Sequence, residues 1–269
     1  MTARLLGTPL TVLFLGLFGI LKATKISCRN EEGEAVDWFI FYKLPKKQNQ
    51  ESRETGLEYL YLDSTTRSWS RSKQLMNAST SVLGRTLQQL YEASASENNS
   101  TAYLIYNDGV PKSVNYSRKY GHTKVPEEGY DYPPTGRRNG QAGICITFKY
   151  NQYEAIDIFA AWMAQQLKTH LLTETWQRKR QELPSNCSLP HHVYNIKAIK
   201  ISRHSYFSSY QDHAKWCISR KGTKNRWTCI GDLNRSPYQV FRSGGFICTQ
   251  NQHIYRAFQG LVLYYENCN

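Results

Sequence analysis

The sequence predicts a mixed fold of the α+β or α/β kind, with sheet and helix in both halves of the chain. Short runs rich in β-branched and aromatic residues recur along its length, and two longer stretches repeat apolar residues at helical spacing. With 40% hydrophobic and 20% charged residues in 269 positions, the composition fits a globular protein with a substantial core and excludes wholesale disorder.

Residues 1–24 have their own grammar. Arg4 supplies a positive start, and 10–21 form an apolar run broken by Thr11, Gly16 and Gly19. The run is shorter than the ~20 apolar residues that cross a bilayer, so it reads as a signal peptide, with a mature chain from about Lys25 that spans no membrane. Strands follow at 36–42, 58–63, 102–106 and 144–150, and Asn107-Asp108-Gly109 closes the third as a turn. Val82, Leu83, Thr86, Leu87 and Leu90 place a helix over 81–93. Phe159, Trp162, Met163, Leu167 and Leu171 predict a long amphipathic helix over 158–180, and strands are expected at 193–202, 216–219, 227–230 and 245–249. The chain divides accordingly into an N-terminal half, 25–157, and a C-terminal half, 158–269. Two junctions are irregular. A Pro/Gly-rich stretch, 125–140, starts directly after Lys124, and Asp157 passes into the helix at Ile158 without turn residues.

Thirty-four Lys and Arg against 21 Asp and Glu give a net charge of +13, which attracts polyanions such as nucleic acid, glycosaminoglycan or anionic membrane. Nineteen Tyr and six Trp favour a polyanion partner over a charge that serves solubility alone, because aromatic faces stack on bases while cations hold phosphates. Entry into the secretory pathway makes the sequons at Asn77, Asn98, Asn99, Asn115 and Asn186 glycosylation candidates. Asn234-Arg235-Ser236 is followed by Pro237 and reads as unmodified. The seven cysteines, in an oxidising lumen and with no CxxC pair, point to disulfides rather than a metal site, with at least one thiol left over.

Two similar triplets carry the chemistry: His122-Thr123-Lys124 and His213-Ala214-Lys215. On a strand, positions i and i+2 share a face, so each triplet presents an imidazole beside an ammonium. Lysine holds a phosphate oxygen as a point charge, and histidine attacks phosphorus or moves a proton. One such triplet is weak; two copies imply two half-sites meeting at one centre. His170, His191, His192, His204 and His253 lack such a partner and read as surface or packing residues.

Beyond the second triplet lies Gly231-Asp232-Leu233-Asn234, and HxK followed by Gly-x-x-Asn is similar to the phospholipase D superfamily, in which two such sets build one active site. The acidic residue that usually follows each HxK is replaced by Gly129 and Arg220. That departure is shared by the deoxyribonuclease II (DNase II) branch, which the chain resembles along its mature length. The resemblance lies in Cys28-Arg29-Asn30-Glu31-Glu32-Gly33, Val36-Asp37-Trp38-Phe39, Tyr106-Asn107-Asp108, His213-Ala214-Lys215-Trp216-Cys217, the segment from Cys229 to Arg235, and the segment from Arg242 to Cys248.

The resemblance implies a phospholipase D-like pseudo-twofold pair of mixed sheet-and-helix halves. It implies a lysosomal or secreted endonuclease that needs no metal or other cofactor and cuts DNA in acid to 3′-phosphate and 5′-hydroxyl ends. Lys124, Lys215 and Asn234 would hold the scissile phosphate. One of His122 and His213 would attack phosphorus and the other protonate the leaving oxygen; which does which is open, as is the oligomeric state. The implied disulfides are Cys28–Cys145, Cys187–Cys268 and Cys229–Cys248, leaving Cys217.

The chain also departs from the family. Lys124 runs into Val125-Pro126 where the family continues with glycine and an aromatic strand pair, and a second block is missing between Asp157 and Ile158. Core strands are therefore expected to be absent. The competing function is a basic, disulfide-held glycoprotein that binds polyanions without cleaving them.

Overall fold

A computed structural model describes residues 26–49, 52–95, 157–178, 181–240, 242 and 244–268, together with the backbone of 144–149. It is a mixed α+β fold. The signal segment 1–24 and the expected strand at 102–106 lie outside the described residues.

The N-terminal part is a set of small sheets around one helix. β1 (Cys28–Arg29) and β2 (Ala35–Val36) form a hairpin whose turn needs Gly33 in the left-handed region, at φ 86°. Next come β3 (Phe39–Lys43), β4 (Lys47–Asn49), β5 (Ser52–Glu54), β6 (Tyr59–Asp63) and β7 (Ser70–Arg71), with β3-β6-β7 as an antiparallel sheet. Helix α1 (Val82–Ala95) starts at Ser81, whose hydroxyl accepts from Gly84 N–H at 3.0 Å as an N-cap. Its outer face holds β1 through Thr86 and Gln89, which bond Arg29 N and Ser27 O.

The rest builds one large sheet. β8 (Ile144–Lys149) is followed by a π-helical segment, Ile158–Met163, which runs into a short α2 (Ala164–Gln166). Then come β9 (Leu171–Glu174), β10 (Val193–Lys200), β11 (Tyr206–Ser208), β12 (Trp216–Ser219), β13 (Thr228–Gly231), β14 (Gly244–Thr249), α3 (Gln252–Leu261) and β15 (Val262–Tyr265). The strand order is β11-β10-β9-β12-β13-β14-β8, with β15 also paired to β10. β9 and β10 run parallel; the other pairs are antiparallel. β8, assigned by sequence to the N-terminal half, is thus the edge strand of the C-terminal half's sheet.

Alternation along β12 sends Trp216 and Ile218 to one face and Cys217 to the other. The first face packs on α3 and on Tyr42, Leu44 and Leu60 of the N-terminal part, so one core joins both parts. The second face packs under the π-helical segment through Phe159, Met163 and Phe246.

The helix expected over 158–180 is corrected. It stops after Gln166, the backbone turns left-handed at Lys168 (φ 50°), and 171–174 become a central strand buried at every position. A strand covered on both faces shows no alternation, so its apolar run blends into the helical pattern before it. Among the described residues no helix is long and apolar enough to cross a membrane.

Two disulfides are formed, Cys187–Cys268 and Cys229–Cys248, closing separations of 81 and 19 residues. Cross-links of this kind stabilise by about 2–4 kcal/mol. The Cys28–Cys145 pairing is corrected, since Cys28 carries a free thiol. Cys28 sits in the small hairpin beside α1, whereas Cys145 lies opposite Cys248 at the end of a row of register partners, Cys217, Cys229, Cys248 and Cys145, across β12, β13, β14 and β8. Cys217 is also free, and buried.

Candidate active site

The second triplet sits at one end of the large sheet. His213 and Lys215 lie in the extended segment just before β12, which begins only at Trp216. Alternation holds nonetheless: His213 is exposed and Asp212 beneath it is buried. The Lys215 ammonium donates to the His213 carbonyl at 2.6 Å, which folds the cation back over the histidine.

Two neighbouring segments converge on His213. Trp216 is the register partner of Glu174, so the chain leaving β9 arrives beside the triplet. Trp176 there stacks on the His213 ring with centroids 3.7 Å apart, and the Arg178 guanidinium lies 3.8 Å from the Trp176 ring centroid. β13 ends at Gly231, paired with Phe246, and the chain beyond it delivers Asn234; a side chain at 231 would run into the Phe246 ring and the Gly245 carbonyl. The Asn234 side-chain oxygen accepts from Trp176 N–H at 3.1 Å. Arg235 is buried and anchors this segment, with two bonds to Asp157 at 2.9 and 2.7 Å and one to Asn195 at 2.6 Å. The side chain after Asn234 is therefore locked, which fixes where the half-buried Asn234 stands.

A buried acidic layer supports the triplet. Asp212 accepts from the Tyr42 hydroxyl and from Ala214 N–H (2.9 Å), and Tyr42 in turn accepts from Trp216 Nε1 at 3.1 Å. Glu174 accepts from the Ser209 hydroxyl at 2.6 Å, while its other oxygen finds no donor and faces Asp212. Burial, then the neighbouring Asp212 charge, push the Glu174 carboxyl well above its ordinary range, and burial raises Asp212 as well. The stronger rise favours a neutral Glu174, whose carboxyl proton would have Asp212 as its acceptor.

Above this layer a cavity of about 800 Å³ opens between the N-terminal part and the triplet, lined among others by Lys43, Lys46, Gln211, His213 and Lys215. Its charge is positive around the imidazole. Burial first, then Lys215, Arg178 and Lys43, hold His213 below its ordinary pKa. Such a site accepts an anion and keeps a histidine that protonates more readily once that anion is bound.

The structure thus brings His213, Lys215 and Asn234 together. His122 and Lys124 lie outside the described residues. Among the sequons, Asn77 is exposed, and Asn186 is half-buried with its oxygen accepting from Ser188 N and Oγ at 3.0 and 2.8 Å. Asn98, Asn99 and Asn115 lie outside the described residues. Sequence reasoning missed Tyr42, Lys43, Glu174, Trp176, Arg178 and Asp212. Of these, Asp212 was next to the triplet, whereas Glu174, Trp176 and Arg178 were hidden in a stretch that reads as helix.

Comparison with known proteins decides the family. The model of the deoxyribonuclease II family matches residues 27–125, 124–157 and 154–268. The chain belongs to the deoxyribonuclease II family. It is 65% identical to human deoxyribonuclease-2-beta (Homo sapiens) over 356 aligned positions, covering 100% of this chain and 99% of that protein. The mouse (Mus musculus) deoxyribonuclease-2-beta is 49% identical, with 100% of both chains covered, and mouse deoxyribonuclease-2-alpha is 27% identical over 91% of this chain and 94% of its own length. The family matches break at 124–125 and 154–157, the two irregular junctions of the sequence. Alignments of 356 positions against 269 residues mean that these DNase II relatives carry internal stretches this chain lacks.

Proposed function

We propose that this chain is an acid-acting endodeoxyribonuclease that hydrolyses DNA through a histidine pair, His122 and His213, without a metal or other cofactor. Family membership supports DNA as substrate; the observation that carries the chemistry is an exposed His213 held among Lys215, Lys43 and Arg178 at the mouth of a cavity.

One neutral imidazole attacks phosphorus as the P–O5′ bond breaks, and the other, protonated, gives its proton to the leaving 5′ oxygen. Water then attacks the phosphohistidine, which releases a 3′-phosphate and regenerates the imidazole. Lys215, Lys124 and Asn234 neutralise and orient the phosphate, while Trp176 offers a face for a base or sugar beside the reacting group. A neutral Glu174 lets that acidic layer stay buried at low pH, where the donor histidine is charged. The two triplets would belong to pseudo-twofold halves, 25–157 and 158–269. The protein would enter the secretory pathway through residues 1–24, carry glycans, and act in the lysosome or outside the cell.

Plasmid nicking at acidic pH in excess chelator, followed by analysis of the ends, tests this reading. Cleavage with 3′-phosphate ends is expected; a requirement for added magnesium, or 5′-phosphate ends, removes it. A second reading, a polyanion-binding glycoprotein without turnover, is favoured by one observation, the loss of sequence at both junctions. Retention of DNA without nicking in the same assay would establish it.

A further inference from the structure

The opposite end of the large sheet carries a second cluster of cationic and titratable groups. His170 immediately precedes β9, His191 and His192 precede the parallel β10, and Arg220 follows the antiparallel β12, so all four meet at the end remote from His213. The His170 ring lies 4.5 Å from that of His192 and 5.9 Å from that of His191. The Arg220 guanidinium bonds the Tyr194 and Tyr265 hydroxyls, each at 3.2 Å, and lies 4.8 Å from the Tyr194 ring centroid. The His192 Nδ1 meets the same Tyr194 hydroxyl at 3.0 Å. The segments that build this end, 164–170, 184–192 and 219–226, contain Lys168, Arg220, Lys221, Lys224 and Arg226 and no carboxylate of their own; the Glu266 carboxylate, which bonds Ser185, is engaged by Asn195 and Lys197 as well.

The cluster has a built-in dependence on pH. His192 backbone N–H donates to His170 Nδ1 at 2.8 Å, a bond that needs His170 neutral. Protonation at Nδ1 turns the acceptor into a donor and sets N–H against N–H. Burial, then His192, His191 and Arg220, hold His170 below its ordinary pKa, so the bond is intact at neutral pH and gives way in acid. What remains is a pair of opposed donors, His170 Nδ1–H and His192 N–H, beside the Arg220 guanidinium. The Cys187–Cys268 bond and the Asn186–Val193 bridge keep the 184–192 segment anchored meanwhile.

An oxyanion is the group that satisfies such a set. We propose that His170, His191, His192 and Arg220 form a second phosphate-binding site, closed at neutral pH and opened by protonation, that holds the DNA backbone away from the catalytic centre. The choice of DNA rests on the reading above; the oxyanion chemistry does not.

The test uses the glycosylated chain bearing His213→Ala, so that DNA is bound but not cut, with and without His170→Asn. Asparagine keeps an acceptor for His192 N–H and takes no proton. Anisotropy of a labelled duplex should show His170→Asn binding several-fold more weakly at about pH 5, unchanged at about pH 7.5, with the salt slope reduced by about 1. Inorganic phosphate should raise the melting temperature at the lower pH in the parent alone. His191→Gln, which leaves the His170 bond in place, should weaken acid binding in the same direction. Equal acid affinity in all three chains, with phosphate stabilising them equally, would overturn the site. Loss of the phosphate effect with unchanged DNA affinity would overturn DNA as the ligand. Binding as proposed, together with no plasmid nicking by the chain that retains His213, would refute the hydrolase reading and leave this one standing.

Discussion

Replacing His213 with alanine removes the imidazole proposed to react but only one of many contacts to the polyanion, so on that proposal cleavage should be abolished while DNA retention on the +13 chain stays nearly unchanged. Parental cutting by that variant would dismiss the site. Lys215→Ala should weaken both turnover and phosphate affinity, since the ammonium touches the anion in the ground state and beyond it. The cations around His213 also set its titration. Burial and the charges of Lys215, Arg178 and Lys43 depress the pKa, so the ring takes its proton at lower pH than a free histidine. Arg178→Ala removes one repelling charge and should move the His213 midpoint, followed by its imidazole NMR signals, upward. A downward or absent shift would remove Arg178 from the site's field. The thiols are a separate check at this scale. Burial pushes Cys217 far above its ordinary pKa, while Cys28 is only partly covered, so alkylation of the native protein followed by mass mapping should label Cys28 and spare Cys217. Protection of Cys28 would argue that it is bonded in solution.

β9 is the element on which the site depends most. Its end places Glu174 against Asp212 and sends Trp176 under His213. The folded Glu174 pKa is raised above the unfolded value, so its contribution to stability is complete below the ordinary carboxyl range and is lost as pH rises towards the folded pKa. Glu174→Gln cannot ionise and keeps a donor for Asp212; its melting temperature should change less between acid and neutral pH than the parent's, and lie a few degrees higher at neutral pH. Glu174→Ala should melt lower at both. If glutamine lowers stability at neutral pH, the neutral Glu174 is wrong. The same strand shows what the sequence could and could not tell. The strands around 39–43, 59–63, 193–200, 216–219, 228–231 and 244–249 and the helix over 82–95 were legible, because each has one dominant period or a run of β-formers. β9 was not, because a central strand buried on both faces has no alternation. α3 carried an unused signal: Asn251 caps His253 and Ile254 N–H, and Ile254, Ala257, Phe258 and Leu261 follow at helical spacing. At the site, His213, Lys215 and Asn234 were legible from their motif, whereas Trp176 and Arg178 reach it only through the pairing of β9 with β12, a long-range fact that no local pattern encodes.

At the scale of the whole molecule the two breaks in the family match bear on the proposed activity. Ile230 and Ile247 face each other across β13 and β14 and are 40% and 44% exposed, while Cys229, Phe246 and Cys248 on the other face are buried. Ile230 lines the cavity beside the triplet, so this face of the sheet carries apolar surface next to the candidate site. Uncovered apolar side chains and unpaired strand groups cost on the order of 1–3 kcal/mol each, against a typical domain stability of about 5–15 kcal/mol. Phosphoryl transfer further requires both histidines to be held to within about half an ångström. The second triplet continues into β12 and is fixed by Asp212, Trp176 and the Asn234 segment. The first runs into Pro126, two residues after Lys124, which donates no ladder bond and drives its neighbour towards extended loop geometry. From the sequence, no strand of the kind that continues from Lys215 is expected after Lys124. Restoring the two blocks that the relatives carry should raise both the melting temperature and the specific activity well above those of this chain. The comparison needs matched amounts of glycosylated protein from one secretory host, assayed side by side at acidic pH in chelator. Equal specific activity in the short and restored chains would mean that the blocks are dispensable to catalysis and that His122 finds its place without them.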